Sequence, residues 1–161
     1  MFQQQLQNLA SNLSTQNLKV TCAESCTGGL LAANLTRLPG SSAWFDMGFV
    51  TYSNEAKSQM IGVSEATLLE HGAVSEPVVV EMAIGALKAA RADYAVSISG
   101  IAGPDGGSEE KPVGTVWFAF ATARGEGITR RECFSGDRDA VRRQATAYAL
   151  QTLWQQFLQN T

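Results

Sequence analysis

The segment Ala23-Glu24-Ser25-Cys26-Thr27-Gly28-Gly29 sets three kinds of nucleophile side by side, ahead of two glycines and the apolar run Leu30 to Leu38. Before it, Leu18-Lys19-Val20-Thr21-Cys22 reads as a short buried strand. A strand that delivers Ser, Cys and Thr onto a helix start places a hydroxyl beside backbone N–H groups with no intrahelical partner. Such groups can hold a phosphate or stabilise an oxyanion. The commoner use of Ser25 or Thr27 at such a place is as an N-cap, so the segment alone leaves both roles open.

A serine is inert until a base takes its proton. The chain has one histidine, His71, directly before Gly72 at a predicted helix end, which reads as a C-terminal helix residue. Without it, the base for Ser25 is a lysine whose pKa is lowered by desolvation. Lys57 lies about one turn after the strand end Thr51-Tyr52-Ser53, on the rim expected to hold Ser25; its ordinary reading is a solvated lysine. Tyr52 would hold a proton or position the ammonium, or else is a strand-end aromatic with a wet hydroxyl. Ser97 and Ser99 alternate with Val96 and Ile98 and share one face, Ser97 as packing. The loop Gly100-Ile101-Ala102-Gly103-Pro104-Asp105-Gly106-Gly107 matches no Walker or dinucleotide pattern and signals only close backbone approach. Arg142 and Arg143, early in the last helix, suit a phosphate clamp or a solvated face. A second reading makes Cys26 the nucleophile and His71 its base.

The elements that must position these residues follow from pattern. Leu6, Leu9 and Leu13 mark an amphipathic helix. After the first strand come a helix over 28–38, a Pro39-Gly40 turn and a strand from Trp44 to Tyr52. Ser53 caps a helix to about Ile61, a short helix runs from Ser64 to Glu70, and a longer one from Val78 to Ala90 opens at Ser75-Glu76-Pro77. Tyr94 to Ser99 is a strand; Val113 to Thr122 and Ile128 to Phe134 form an antiparallel hairpin. Asp137 caps a last helix carrying Leu150, Leu153, Trp154, Phe157 and Leu158. This order predicts one domain over residues 1–161. Its fold class is α/β, a three-layer α/β/α arrangement with a mixed, mainly parallel sheet of about five strands. In such sheets ligands sit at the carboxyl ends of strands. Residues 24–29, 52–57 and 99–107 all fall there, and that convergence moves Ser25 from cap to active-site candidate.

With 161 residues, 45% hydrophobic and 17% charged, the chain is long enough to bury a full core. A net charge of −3 and the lack of any basic run argue against nucleic-acid binding. Residues 101–161 nevertheless hold seven of the 12 basic side chains, six of them arginines, which suits a small anion. Three cysteines without a C-x-x-C pair support neither a zinc site nor a disulfide framework. No metal and no cofactor is therefore expected, and the compartment is a reducing cytoplasm. The N-terminus lacks the features of a signal peptide, and no stretch reaches the length of a membrane span. A homodimer is the default assembly.

Five motifs occur in order. They are Ala23-Glu24-Ser25-Cys26-Thr27-Gly28-Gly29; Gly48-x-x-x-Tyr52-Ser53-Asn54-x-x-Lys57; Gly72-Ala73-Val74-Ser75; Ser99-Gly100-Ile101-Ala102-Gly103-Pro104-x-Gly106-Gly107; and Lys111-Pro112-Val113-Gly114-Thr115-Val116. Together they resemble the CinA C-terminal domain family, from about residue 5 to the C-terminus. The resemblance implies hydrolysis of the carboxamide of nicotinamide mononucleotide to nicotinate mononucleotide and ammonia, in pyridine nucleotide recycling. It implies Ser25 as nucleophile and Lys57 as base, with Tyr52 and an arginine of the last helix in support. Cys26, Thr27, Gly28, Gly29, Ser99, Gly100, Ala102, Gly103, Arg142 and Arg143 are the expected substrate-binding residues. The ribose-phosphate is expected at the 27–29 helix start or the 100–107 loop. The rival from another class is a nucleotide-binding module without catalysis.

Overall fold

Local signals place most of the elements. In the computed structural model, which describes residues 2–159, α1 covers Phe2–Gln16 and buries Leu6, Leu9 and Leu13. Strand β1 is Val20–Glu24, and α2 is only Leu30–Leu35, shorter than the 28–38 expected. The cause lies in Gly28 and Gly29, whose φ of 57° and 108° keep them out of the helix. A single 3-10 turn over Ser41–Ala43 leads to β2, which is Phe49–Val50 alone rather than the long strand read from Trp44 to Tyr52. Alternation there reflects a buried Trp44 beside half-exposed neighbours, not strand pairing.

Ser53 caps α3 (Asn54–Ile61) by accepting from the Ala56 N–H at 3.0 Å, and Ser64 caps α4 (Glu65–His71). Helix α5 spans Glu76–Ala90 with a proline in its first turn. Strands β3 (Tyr94–Gly100), β4 (Thr115–Thr122) and β5 (Gly127–Cys133) follow. Asp137 accepts from Ala140 N–H at 2.9 Å and opens α6 (Arg138–Leu153), which widens into a π turn over Trp154–Leu158.

The five strands lie in the order β2-β1-β3-β4-β5. β1 pairs in parallel with β2 and β3, while β4 is antiparallel to both neighbours. Four strands therefore point one way and β4 the other, giving the mixed, mainly parallel sheet with helices on both faces. Residue alternation divides the core. Val20, Cys22, Val96, Ile98, Phe118 and Phe120 face α1, α2 and α6. On the opposite face the small side chains Ala23, Ala95 and Ala119 let α5 pack close to the sheet. Ser97, expected as packing, faces this layer and donates to the Val79 carbonyl of α5 at 2.6 Å. Burying one Phe118-sized side chain contributes about 2–3 kcal/mol, so this double-sided core fixes the strand ends firmly.

One close approach bears directly on chemistry. A Cβ at Gly85 of α5 would overlap the Ile61 carbonyl oxygen at the end of α3. Glycine there lets α3 lie against α5 and turn its Lys57 and Ile61 face inward.

Candidate active site

The carboxyl ends of β1 and β3, the segment after β2 and the start of α6 enclose a cleft of about 300 Å³. Ser25, at the end of β1, is pinned by its own N–H, which donates to the Ile98 carbonyl of β3 at 2.9 Å. Lys57, on the first turn of α3, brings Nζ to 2.9 Å from Ser25 Oγ. The same nitrogen reaches the carbonyls of Thr51 at 2.9 Å and Tyr52 at 3.3 Å. Lys57 is 1% exposed, and no carboxylate pairs with it among the described residues.

That surrounding favours the uncharged amine. Burial lowers the Lys57 pKa to about 8, while Cys26 acts in the opposite direction. A neutral amine has two N–H donors and one lone pair. In the structure Nζ donates to the Thr51 and Tyr52 carbonyls and to Ser25 Oγ; on loss of a proton the two carbonyls can keep the N–H groups, which turns the lone pair to the Ser25 hydroxyl. Cys26 is the opposite case. Burial pushes its thiol up to about 11, Glu24 adds to this, and its own N–H, Arg142 and Lys57 pull the other way. A thiol so held is protonated at neutral pH, which weighs against the cysteine reading. His71 ends α4, half-exposed beside Glu70, and does not line the cleft.

Of the residues expected at the site, Ser25, Cys26, Tyr52, Lys57, Ser99, Gly100, Ala102 and Gly103 line the cleft; Thr27, Gly28, Gly29, Arg142 and Arg143 do not. Each of the five has a structural occupation instead. Thr27 is buried and donates its hydroxyl to Glu24 at 2.6 Å. The Gly29, Leu31 and Ala32 amides donate to the same carboxylate at 3.2, 2.9 and 2.9 Å. The helix start offered for a phosphate is thus filled by the chain's own anion. Gly28 makes room for Arg142, whose Nη2 would stand 3.2 Å from a Cβ there. Arg142 reaches across from α6 and donates to the carbonyls of Cys26 at 3.0 Å and Thr27 at 3.2 Å. Arg143 points outward and pairs with Asp139.

Arg138 lies in the cleft, where neither of the expected arginines does. Its guanidinium donates to the Gly103 carbonyl at 2.8 Å and the Tyr52 phenol oxygen at 2.9 Å. Neither partner is a carboxylate, and no carboxylate pairs with it among the described residues. The register of α6 carries the missed signal: Val141, Ala145 and Ala149 are buried, and residue 138 heads the same stripe while residue 143 does not. Tyr52 enters the site twice. Its carbonyl touches both Ser25 Oγ and Lys57 Nζ, whereas its phenol, on a side chain exposed at 58%, meets Arg138. Asn54 and Asp105 complete the polar lining.

No group of three or more His, Cys, Asp or Glu is placed to hold a metal ion among the described residues. No helix among them is long and apolar enough to cross a membrane.

The same architecture occurs in known proteins. The chain is 85% identical over 149 residues to the nicotinamide-nucleotide amidohydrolase PncC of Escherichia coli (strain K12), covering 92% of this chain and 90% of that protein. It is 52% identical over 147 residues to the protein of the same name from Pseudomonas putida, covering 91% of each. Among solved structures, the competence/damage inducible protein CihA from Agrobacterium tumefaciens superposes with a TM-score of 0.92 at 42% identity, over 94% of this chain and 93% of that one. Residues 3–157 match the CinA C-terminal domain family, which spans β1, α3, the 100–107 loop and α6 together, and this chain belongs to that family.

Proposed function

We propose that the chain is an amidohydrolase that converts nicotinamide mononucleotide to nicotinate mononucleotide and ammonia through a Ser25–Lys57 dyad. The observation that carries this reading is the Lys57 amine 2.9 Å from Ser25 Oγ, buried, with two carbonyls fixing its N–H groups. Relatives at 85% and 52% identity that bear the name nicotinamide-nucleotide amidohydrolase support the substrate class.

The chemistry follows from the geometry. The Ser25 hydroxyl passes its proton to the Lys57 lone pair as Oγ attacks the carboxamide carbon. The Cys26 N–H, on the cleft wall beside Ser25, donates to no oxygen among the described residues and is the donor nearest in sequence to the developing oxyanion. The Lys57 ammonium then returns its proton to the departing nitrogen, ammonia leaves, and an ester on Ser25 remains. Water, deprotonated by the restored amine, hydrolyses the ester to the carboxylate. Arg138, uncompensated at the mouth, is suited to the 5′-phosphate, where a fixed guanidinium binds a phosphate oxygen pair. Tyr52 serves through its carbonyl at the dyad and its phenol on Arg138, rather than by carrying the proton.

The deciding experiment is ammonia release from nicotinamide mononucleotide by purified protein, with the acid product identified by mass spectrometry. Tight binding without product on long incubation would establish the non-catalytic nucleotide-binding reading instead.

A further inference from the structure

Among the described residues, Glu24 is a densely hydrogen-bonded side chain that the dyad does not use. It ends β1, is fully buried, and its two oxygens accept from the Thr27 hydroxyl and from the amides of Gly29, Leu31 and Ala32. No Lys, Arg or His pairs with it among the described residues. A carboxylate withdrawn from water without a cation is tolerated only when its lone pairs are filled by well-aligned donors. Here four donors come from residues three to eight positions further on, so the side chain ties both ends of the Ser25–Gly29 turn to the strand that precedes it.

The opposite polarity of the same turn is held from the other side. Arg142 takes the Cys26 and Thr27 carbonyls, and the Gly28 N–H closes the turn onto the Ser25 carbonyl at 3.1 Å. With the carbonyls of residues 26 and 27 fixed and the amides of 28, 29, 31 and 32 engaged, the turn after Ser25 is held from both sides, and Cys26 is its residue on the cleft wall. We propose that Glu24 is a positioning residue for the amidase reaction: its carboxylate sets the turn that presents Ser25 and the Cys26 amide to the cleft. It also keeps external anions off the start of α2, so that the substrate phosphate is taken elsewhere in the cleft. The substrate readout of this proposal rests on the amidase reading; the turn geometry does not.

The test is Glu24→Gln with Thr27→Val. Gln keeps the size but turns one acceptor into a donor facing main-chain N–H groups. Val keeps the shape of Thr27 while deleting one donor to the carboxylate. Removing a single oxyanion donor outright lowers kcat about 10²–10³-fold, and a displaced turn should approach the lower end. Both variants should lower kcat by about tenfold or more, leave KM for nicotinamide mononucleotide within about twofold, and leave the ascending limb of the pH profile in place. A second readout needs no amide substrate: the labelling rate of Ser25 by a fluorophosphonate should fall in parallel, with Ser25→Ala as the blank. If wild type labels but releases no ammonia, the amidase reading fails and labelling alone judges Glu24. Wild-type kcat and labelling in folded Glu24→Gln, or a loss confined to KM, would overturn the proposal. Should Glu24→Gln not fold, Thr27→Val decides by the same two criteria.

Discussion

If Lys57 is the base, the pH dependence of the reaction is set by its burial. The shift from 10.5 to about 8 corresponds to about 3 kcal/mol in favour of the neutral amine. At pH 7 about one molecule in ten then carries the free base, against about one in three thousand for a solvated lysine. The kcat/KM for nicotinamide mononucleotide should rise tenfold per pH unit below pH 8 and level off above it, because the protonated dyad is inactive. Lys57→Arg retains the positive charge but cannot release a proton, so its kcat should fall about 10²–10⁴-fold, as far as that of Lys57→Ala. The assay is ammonia release across pH 6–10, with circular dichroism to confirm that each variant folds. A flat wild-type profile over this range would refute the reasoning, as would Lys57→Arg retaining a tenth of the activity. The lysine would then act as a fixed charge, and the proton would have to go elsewhere.

Ser25→Ala should abolish ammonia release while Cys26→Ala keeps much of it, since the Cys26 thiol, pushed up to about 11, is not ionised at working pH; the reverse pattern would transfer the nucleophile to Cys26. Arg138→Met should raise KM for nicotinamide mononucleotide about 10–100-fold and lower kcat less, the range for losing hydrogen bonds to a charged group. An Arg142 variant should instead lower kcat, because Arg142 holds the nucleophile turn rather than lining the cleft. Stability offers a check without substrate. The folded-state pKa of Lys57 lies below its unfolded value, so from pH 8 to 10.5 the unfolded chain binds more protons and wild-type stability rises with pH. Relative to Lys57→Met, which lacks this group, wild type should gain about 2 kcal/mol between pH 7 and 9.5 in urea unfolding, and no gain would show that the lysine is not desolvated.

The sequence carried the elements wherever a local device ends or begins them. Ser53 and Asp137 are caps in the structure as they are in the pattern, Ser64, read as the first residue of its helix, caps it instead, and the short 123–126 link forces the β4–β5 hairpin. It carried β2 badly, because Trp44 and Phe45 alternate through core packing while only Phe49 and Val50 pair with β1. Ser25, Lys57 and the 100–107 loop were legible for a topological reason: parallel strands deliver their carboxyl ends to one edge, so three separate segments had to meet. What could not be read was the orientation of side chains about that edge. Arg138, Arg142 and Arg143 lie within six residues on one helix, and composition gives each the same claim to an anion. Only the position of α6 against the sheet turns the first into the cleft, the second onto the Cys26 and Thr27 carbonyls and the third to solvent.

Glu24 shows the same limit from the other side. Strand alternation puts it on the face of Cys22, toward α2, where a lone carboxylate reads as an error of patterning. It becomes intelligible once the glycines at 28 and 29 are seen to bend the chain back so that four donors converge on it. The site is therefore built around two buried ionisable groups treated oppositely. Lys57 meets carbonyls and a hydroxyl, which suit an amine able to take up a proton, while Glu24 meets only hydrogen-bond donors, which hold its carboxyl group in place. That asymmetry, more than the presence of a serine beside two glycines, is the ground for proposing the chemistry at residue 57 and the architecture at residue 24.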